Sequence, residues 1–102
     1  MPVRKDAGWM QTLDERILEH LNEESWASPR TMASKHEFRH ATRRRIRERC
    51  EELTFIEFIA PIHNDMYEIT TWGQLYLAGE IDAENRPLPP RVQKRSFFAR
   101  SF

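Results

Sequence analysis

The sequence predicts a small, mostly helical domain of the α+β class, with one β-hairpin among its helices. Apolar residues recur at helical spacing through two long segments, about residues 12–24 and 39–53. Further along, an apolar run and an alternating run stand on either side of residues 63–65, whose His-Asn-Asp sequence is typical of a turn. The length of 102 residues suits a single domain.

The first predicted helix spans about residues 12–24. Thr12 and Glu15 have the spacing of a capping box, in which each side chain satisfies a free backbone N–H at the helix start. Apolar residues then recur every fourth position at Leu13, Ile17 and Leu21. Residues 1–11 precede this helix as a short arm, and we expect the domain itself to occupy residues 12–84.

Two further helices follow, joined by a short turn. The second, about residues 29–35, starts at Ser28-Pro29, where an N-cap serine precedes a proline at the first helical position. The turn ends at Phe38, which is expected to enter the core. The third helix, about residues 39–53, has an inward stripe of Thr42, Ile46, Cys50 and Leu53.

The remaining elements are a hairpin and a fourth helix. Residues 55–62 and 66–70 are the predicted strands, because both are rich in β-branched and aromatic residues. Thr71 is expected to cap a fourth helix, from Trp72 to about Ile81. Residues 85–102 contain proline, arginine, lysine and phenylalanine but no acid, which indicates an irregular tail. The aromatic residues expected in the core are Trp26, Phe55, Tyr67 and Trp72.

This order of elements, two helices joined by a turn and followed by a hairpin, predicts a winged helix-turn-helix. The net charge is zero, with 16 basic and 16 acidic residues, yet six arginines lie between residues 39 and 49. Like charges one turn apart on a helix repel by a few tenths of a kcal/mol per pair. Such crowding in a folded domain indicates a polyanionic ligand, and double-stranded DNA is the predicted partner.

The helical period of about 100° per residue divides the basic residues by direction. His40, Arg44 and Arg47 point outward, so we expect them to contact base edges in the major groove. Arg39 and Arg49 lie nearer the core side, where they can pair with acids. Phosphate contacts are expected from Arg30, Arg43 and Arg45. The alternative is a solvated face whose arginines pair with Glu48, Glu51 and Glu52.

Several segments carry a family resemblance: residues 9–19 (Trp-Met-Gln-Thr-Leu-Asp-Glu-Arg-Ile-Leu-Glu), 27–29 (Ala-Ser-Pro), 43–48 (Arg-Arg-Arg-Ile-Arg-Glu), 66–70 (Met-Tyr-Glu-Ile-Thr) and 73–79 (Gly-Gln-Leu-Tyr-Leu-Ala-Gly). In this order and spacing, residues 9–85 resemble the winged-helix regulators of halophilic archaea that are similar to a haloarchaeal phage repressor. The resemblance implies a DNA-binding transcriptional regulator of the repressor type. It also implies a salty cell, where the Debye length is about 3 Å.

The chain departs from that family at the wing, whose tip usually carries a basic residue. Here the tip is His-Asn-Asp, so contact with DNA through His63 and Asn64 stays an open alternative. The resemblance also implies a homodimer, for which the arm and the last helix offer large apolar residues. The dimer contacts expected there are Trp9, Met10, Trp72 and Tyr76. A module that docks an acidic protein partner is the alternative function, and RNA binding is the third.

Other classes of function lack support in the sequence. There is no glycine-rich phosphate loop and no nucleophile elbow, so we expect no enzyme, cofactor or small-molecule ligand. His36 and His40 have the spacing of a zinc pair, but they straddle a turn, and no metal site is expected. Cys50 is the single cysteine and is expected in the core. Without a membrane span or signal peptide, the protein is expected to be cytoplasmic.

Overall fold

The computed structural model describes residues 10–81 and residue 83. Its helices are α1 (Thr12–Glu24), α2 (Pro29–Ala33), α3 (Arg43–Phe55) and α4 (Thr71–Leu77), with a 3-10 turn at His36–Phe38 and strands β1 (Ile59–Ile62) and β2 (Met66–Ile69). This order confirms the predicted fold of helices with a hairpin wing. Most of the arm and the whole tail, residues 1–9 and 85–102, lie outside the described residues.

Helix α1 has the predicted bounds, but the predicted capping box of Thr12 and Glu15 is wrong. The N-cap is Gln11, whose backbone N–H donates to Oδ2 of Asp14 at 2.9 Å. The box is therefore shifted by one residue towards the N-terminus. Asp14 takes the role expected of Glu15 because its carboxylate turns inward and is fully buried.

Helix α2 begins as predicted and ends two residues early. The hydroxyl of Ser28 accepts from the backbone N–H of Thr31 at 3.1 Å, and Pro29 occupies the first turn. At the other end, the backbone N–H of Ser34 donates to the carbonyl of Thr31 at 3.2 Å, a tighter bond that closes the helix. Phe38 is buried in the turn that follows, as predicted.

Helix α3 begins four residues later than predicted, at Arg43 rather than at residue 39. The reason is Thr42, which is the N-cap and not a helical residue of the inward stripe. Its hydroxyl accepts from the backbone N–H of Arg45 at 3.0 Å. Residues 39–41 therefore belong to the connection before the helix, which continues to Phe55.

The hairpin is antiparallel, with Ile59 opposite Ile69 and Ile62 opposite Met66. Strand β1 is shorter than predicted, because its first expected residues complete α3 and the turn after it. A short bridge between Ala27 and Tyr67 ties the loop after α1 to the other side of β2. The sheet is thereby anchored to the α1–α2 connection.

Helix α4 is also shorter than predicted and ends at Leu77. Its N-cap is Thr70 rather than Thr71, and the Thr70 hydroxyl accepts from the backbone N–H of Gly73 at 3.2 Å. A Cβ atom at Gly73 would clash with the backbone carbonyl oxygen of Phe58. Glycine at this position therefore lets α4 lie close to the start of strand β1.

One hydrophobic core joins the helices to the inner face of the hairpin. Its fully buried large residues include Ile17, Leu18, Leu21, Met32, Phe38, Ile46, Leu53, Phe58 and Tyr76. The prediction of four core aromatics is only partly right. Tyr67 is buried and Trp72 is half-buried, but Trp26 and Phe55 are 58% and 47% exposed. None of the helices in the described ranges is long and apolar enough to cross a membrane.

Candidate nucleic-acid interface

The surface of α3 is oriented by its buried side. Ile46, Cys50 and Leu53 are fully buried, which confirms the helical part of the predicted inward stripe. Helix α2 packs against α3, and the 3-10 turn connects the two along the chain, which is the arrangement of a helix-turn-helix. Residues on the opposite side of α3 from the stripe therefore face solvent.

A buried ion pair fixes α3 against α1. Nε and Nη2 of Arg49 donate to the two carboxylate oxygens of Asp14, each at 2.7 Å. The hydrogen bond to Asp14 raises the pKa of the Arg49 guanidinium. This confirms that Arg49 pairs with an acid. Arg39, by contrast, is exposed and donates to the backbone carbonyl of His36 at 3.2 Å.

The exposed charges of α3 are separated along its length. Three consecutive arginines, 43–45, occupy the first turn, while Glu51 and Glu52 lie towards the end. This arrangement opposes the helix dipole, which favours acids at the N-terminus and bases at the C-terminus by about 0.3–1 kcal/mol per charge. The arginines in the N-terminal half of α3 form a basic surface, and their position near the positive end of the helix dipole destabilises the helix slightly.

The exposed arginines differ in their partners. The side chain of Arg44 is 90% exposed and lies 3.8 Å from Glu48, a loose surface pair. Arg45 donates to Oε1 of Gln11 at 2.5 Å and lies 3.6 Å from the same Glu48. Exposed pairs of this kind contribute about 0–1 kcal/mol, so these arginines can leave them for a stronger anion.

Two of the arginines predicted to contact phosphate have no acidic partner in the described part of the chain. Arg30, at the second position of α2, and Arg43, at the first of α3, are both exposed. Within residues 10–81, none of the ion pairs involves either of them. They belong to the two helices of the helix-turn-helix, and no described acid pairs with either of them.

His40 does not lie where the sequence placed it. It was predicted on the outward face of the third helix with Arg44 and Arg47. Because α3 starts at Arg43, His40 lies in the preceding connection, two residues before the N-cap. It is exposed there, but the helical geometry that predicted its base contact does not apply to it.

The tip of the wing, residues 63–65, is exposed. It includes both predicted wing residues, His63 and Asn64. The next residue, Asp65, accepts a hydrogen bond at 2.8 Å from Nη2 of Arg47, so the wing contacts α3 directly. Sequence reasoning missed this contact, because nothing in the local pattern relates two residues 18 positions apart.

The residues predicted at a dimer contact are unequally available. Tyr76 is fully buried, stacks on Phe58 with ring centroids 5.1 Å apart and donates its hydroxyl to Glu15 at 2.5 Å. It is a core residue, so its assignment to a dimer surface is corrected. Met10 and Trp72 are half-buried at the surface. Trp9 lies outside the described residues.

Cys50 is a buried core thiol, as predicted. Burial raises its pKa to about 12, which makes the thiol inert at neutral pH. Across residues 10–81 and residue 83, no group of three or more histidine, cysteine or acidic side chains is arranged to hold a metal.

The helix-turn-helix, its two-stranded wing and the exposed basic half of α3 define a winged-helix protein. Among solved structures, the chain is similar to the crystal structure of the PhiH1 repressor-like protein from Haloarcula marismortui. The two are 31% identical, the match covers 87% of this chain and 100% of that one, and the TM-score is 0.81. The chain belongs to the PhiH1 repressor-like family. Neither protein-family models nor curated protein sequences give a match.

Proposed function

We propose that this protein is a sequence-specific, DNA-binding transcriptional regulator of the repressor type, which works in the cytoplasm. The N-terminal half of α3 would enter the major groove, as the second helix of a helix-turn-helix does. The observation that carries the proposal is the cluster of exposed arginines in the first turn of α3. They oppose the helix dipole, and a bound polyanion would offset that cost.

The proposed DNA contacts are of two kinds, to base edges and to the phosphate backbone. Arg44 and Arg47 would bond guanine O6 and N7, since a guanidinium can donate to both acceptors at once. Arg30, Arg43 and Arg45, around them, would hold phosphates and set the register of the domain on the duplex. His40, now placed before the helix, would reach the backbone rather than a base. Contacts from His63 and Asn64 would reach the flanking groove.

The acidic half of α3 limits how the helix can dock. Glu51 and Glu52 would be repelled by phosphates if the helix lay fully along the groove. The helix should therefore enter end-on, with its N-terminus deepest. Glu48, which borders Arg44 and Arg45, would lie close to the bases, where a carboxylate can accept from cytosine N4.

The proposal is tested by selecting bound sequences from a random duplex library with the full chain. The affinity for the enriched site is then compared with that for a scrambled duplex of equal composition, at about 0.1 M and about 1 M KCl. We expect the enriched site to bind at least about 10³-fold more tightly, and to keep its preference at high salt. Equal binding to both duplexes, or no enrichment, would favour a module that docks an acidic protein.

A further inference from the structure

The ion pair between Arg47 and Asp65 joins the candidate base-reading surface to the wing. Nη2 of Arg47 donates to Oδ2 of Asp65 at 2.8 Å, and both side chains are about half exposed. The exposed pairs that Glu48 makes within α3 are longer, at 3.6 and 3.8 Å. Arg47 is therefore held by a second element of the fold, through a short, charge-assisted hydrogen bond.

The backbone at the wing tip does not favour an ordinary side chain. Asn64 and Asp65 have φ angles of 62° and 63°, in the left-handed region. Glycine adopts this region freely, and asparagine and aspartate do so more readily than other residues. Glycine would fit the backbone at position 65 better than aspartate does. The carboxylate that stands there instead binds Arg47.

A guanidinium has five N–H donors in a rigid plane. When one N–H is bound by a carboxylate, as Asp65 binds Arg47, the orientation of the plane is restricted and the remaining donors point in a narrower range of directions. Guanine offers two acceptors that match such an oriented fork. A phosphate, by contrast, is repelled by the neighbouring carboxylate. The pair therefore favours a base over the backbone as the second partner of Arg47.

We propose that Asp65 is a positioning residue that determines sequence specificity: it orients Arg47 towards a guanine and keeps phosphates from that arginine. The inference rests on the proposed function, since it needs Arg47 to lie in the groove. It assigns Asp65 a role that needs no direct contact between its own side chain and DNA. The carboxylate would act through Arg47 alone, in the free protein and in the complex.

The test is Asp65→Asn, which keeps the size of the side chain and the tolerance for a left-handed backbone but removes the charge. Asp65→Gly is a second variant that fits the same φ. For both, affinities are measured for the selected site, a scrambled duplex and a panel with each base pair replaced in turn. We expect the preference for the selected site to fall about tenfold, with guanine preference lost at one base pair and binding to the scrambled duplex unchanged or tighter.

Two controls separate positioning from a general change of charge. Glu68→Gln removes one exposed acid from strand β2 of the same wing and should leave the preference unchanged. In an Arg47→Ala background, Asp65→Asn should have no further effect on the base panel, because it acts through the missing arginine.

An equal change in affinity for the selected and scrambled duplexes would overturn the inference. So would an effect of Asp65→Asn that persists without Arg47. Wild-type selectivity with an unaltered base panel in both Asp65 variants overturns this inference alone. A wild-type protein without selectivity overturns the proposed function as well.

Discussion

Asp14 in α1 and Arg49 in α3 form a buried, two-pronged ion pair that sets the rotation of α3 about its own axis. Asp14 also accepts from the backbone N–H of Gln11, so one carboxylate caps α1 and holds α3. Since Arg49 is fixed on the inward side, Arg44 is directed to solvent. The direction of the basic surface therefore depends on a residue of the first helix.

Replacing Asp14 should destabilise the domain strongly. Asp14→Ala leaves the Arg49 guanidinium buried without its partner and removes the cap of α1, so we expect a loss of about 3–5 kcal/mol in the free energy of unfolding. Urea denaturation measures it, with Arg43→Ala as the control, because Arg43 is exposed and should change stability by less than about 0.5 kcal/mol. A loss below about 1 kcal/mol for Asp14→Ala would show that the pair does not hold α3.

Ile46→Asp should prevent folding. Ile46 is fully buried on the inward side of α3, and an aspartate there would bury an unpaired charge. Circular dichroism and thermal melting of this variant should show no cooperative transition. The neighbouring Arg44→Asp is the matched control and should melt cooperatively, since that side chain is exposed. A normal melt for Ile46→Asp would mean that the inward stripe is wrongly assigned.

Cys50 should be unreactive in the folded protein. Its pKa of about 12 leaves almost no thiolate at pH 8, so iodoacetamide should label it far more slowly than in urea. The folded thiol keeps its proton when the unfolded thiol, with a pKa near 9.0, has lost it. Stability should therefore fall as the pH rises from about 9 towards 12. Burial also raises the pKa of Tyr67, so the comparison with Cys50→Ala isolates the part of this slope that is due to the thiol. Equal slopes in the two proteins would contradict the assignment.

Local chemistry explains what the sequence predicted well. The bounds of α1 follow from its apolar period, and Ser28-Pro29 marks the start of α2 without reference to the rest of the fold. The sequence predicts the start of α3 four residues too early, because Arg39 is as good a helix former as Arg43. The 3-10 turn at His36–Phe38 and the bond from the Arg45 N–H to the Thr42 hydroxyl place the start at Arg43.

Tertiary contacts explain what the sequence could not predict. Phe55 belongs to an apolar run that suits a strand or a helix end, and it ends α3 with its side chain half exposed, while Leu53 and Phe58 on either side of it enter the core. The contact of Arg47 with Asp65 needs the hairpin to fold back on α3. One signal was present for Asp14: it lies three and four residues before Ile17 and Leu18, so a carboxylate stands on the apolar stripe of α1.

The protein should form a two-fold dimer, because one helix in the groove reads too few base pairs to select one site in a genome. Light scattering at molar salt and micromolar protein should give twice the 12.3 kDa chain mass. Selected sites should contain two inverted half-sites about 34 Å apart. Trp72→Ala, at the half-buried surface of α4, should weaken dimerisation. A monomer mass together with sites that lack two-fold symmetry would contradict the dimer.

The N-terminal half of α3 is proposed to read bases, and the variant that tests this is Arg44→Ala. The binding free energy of this variant should be measured on the selected site, on single-base variants of it and on a scrambled duplex, beside Arg45→Ala as the predicted phosphate contact. We predict that Arg44→Ala loses about 1–3 kcal/mol on the selected site and the preference at one base pair, while Arg45→Ala weakens binding to all duplexes alike. Equal, small losses on every duplex for both variants would contradict the account.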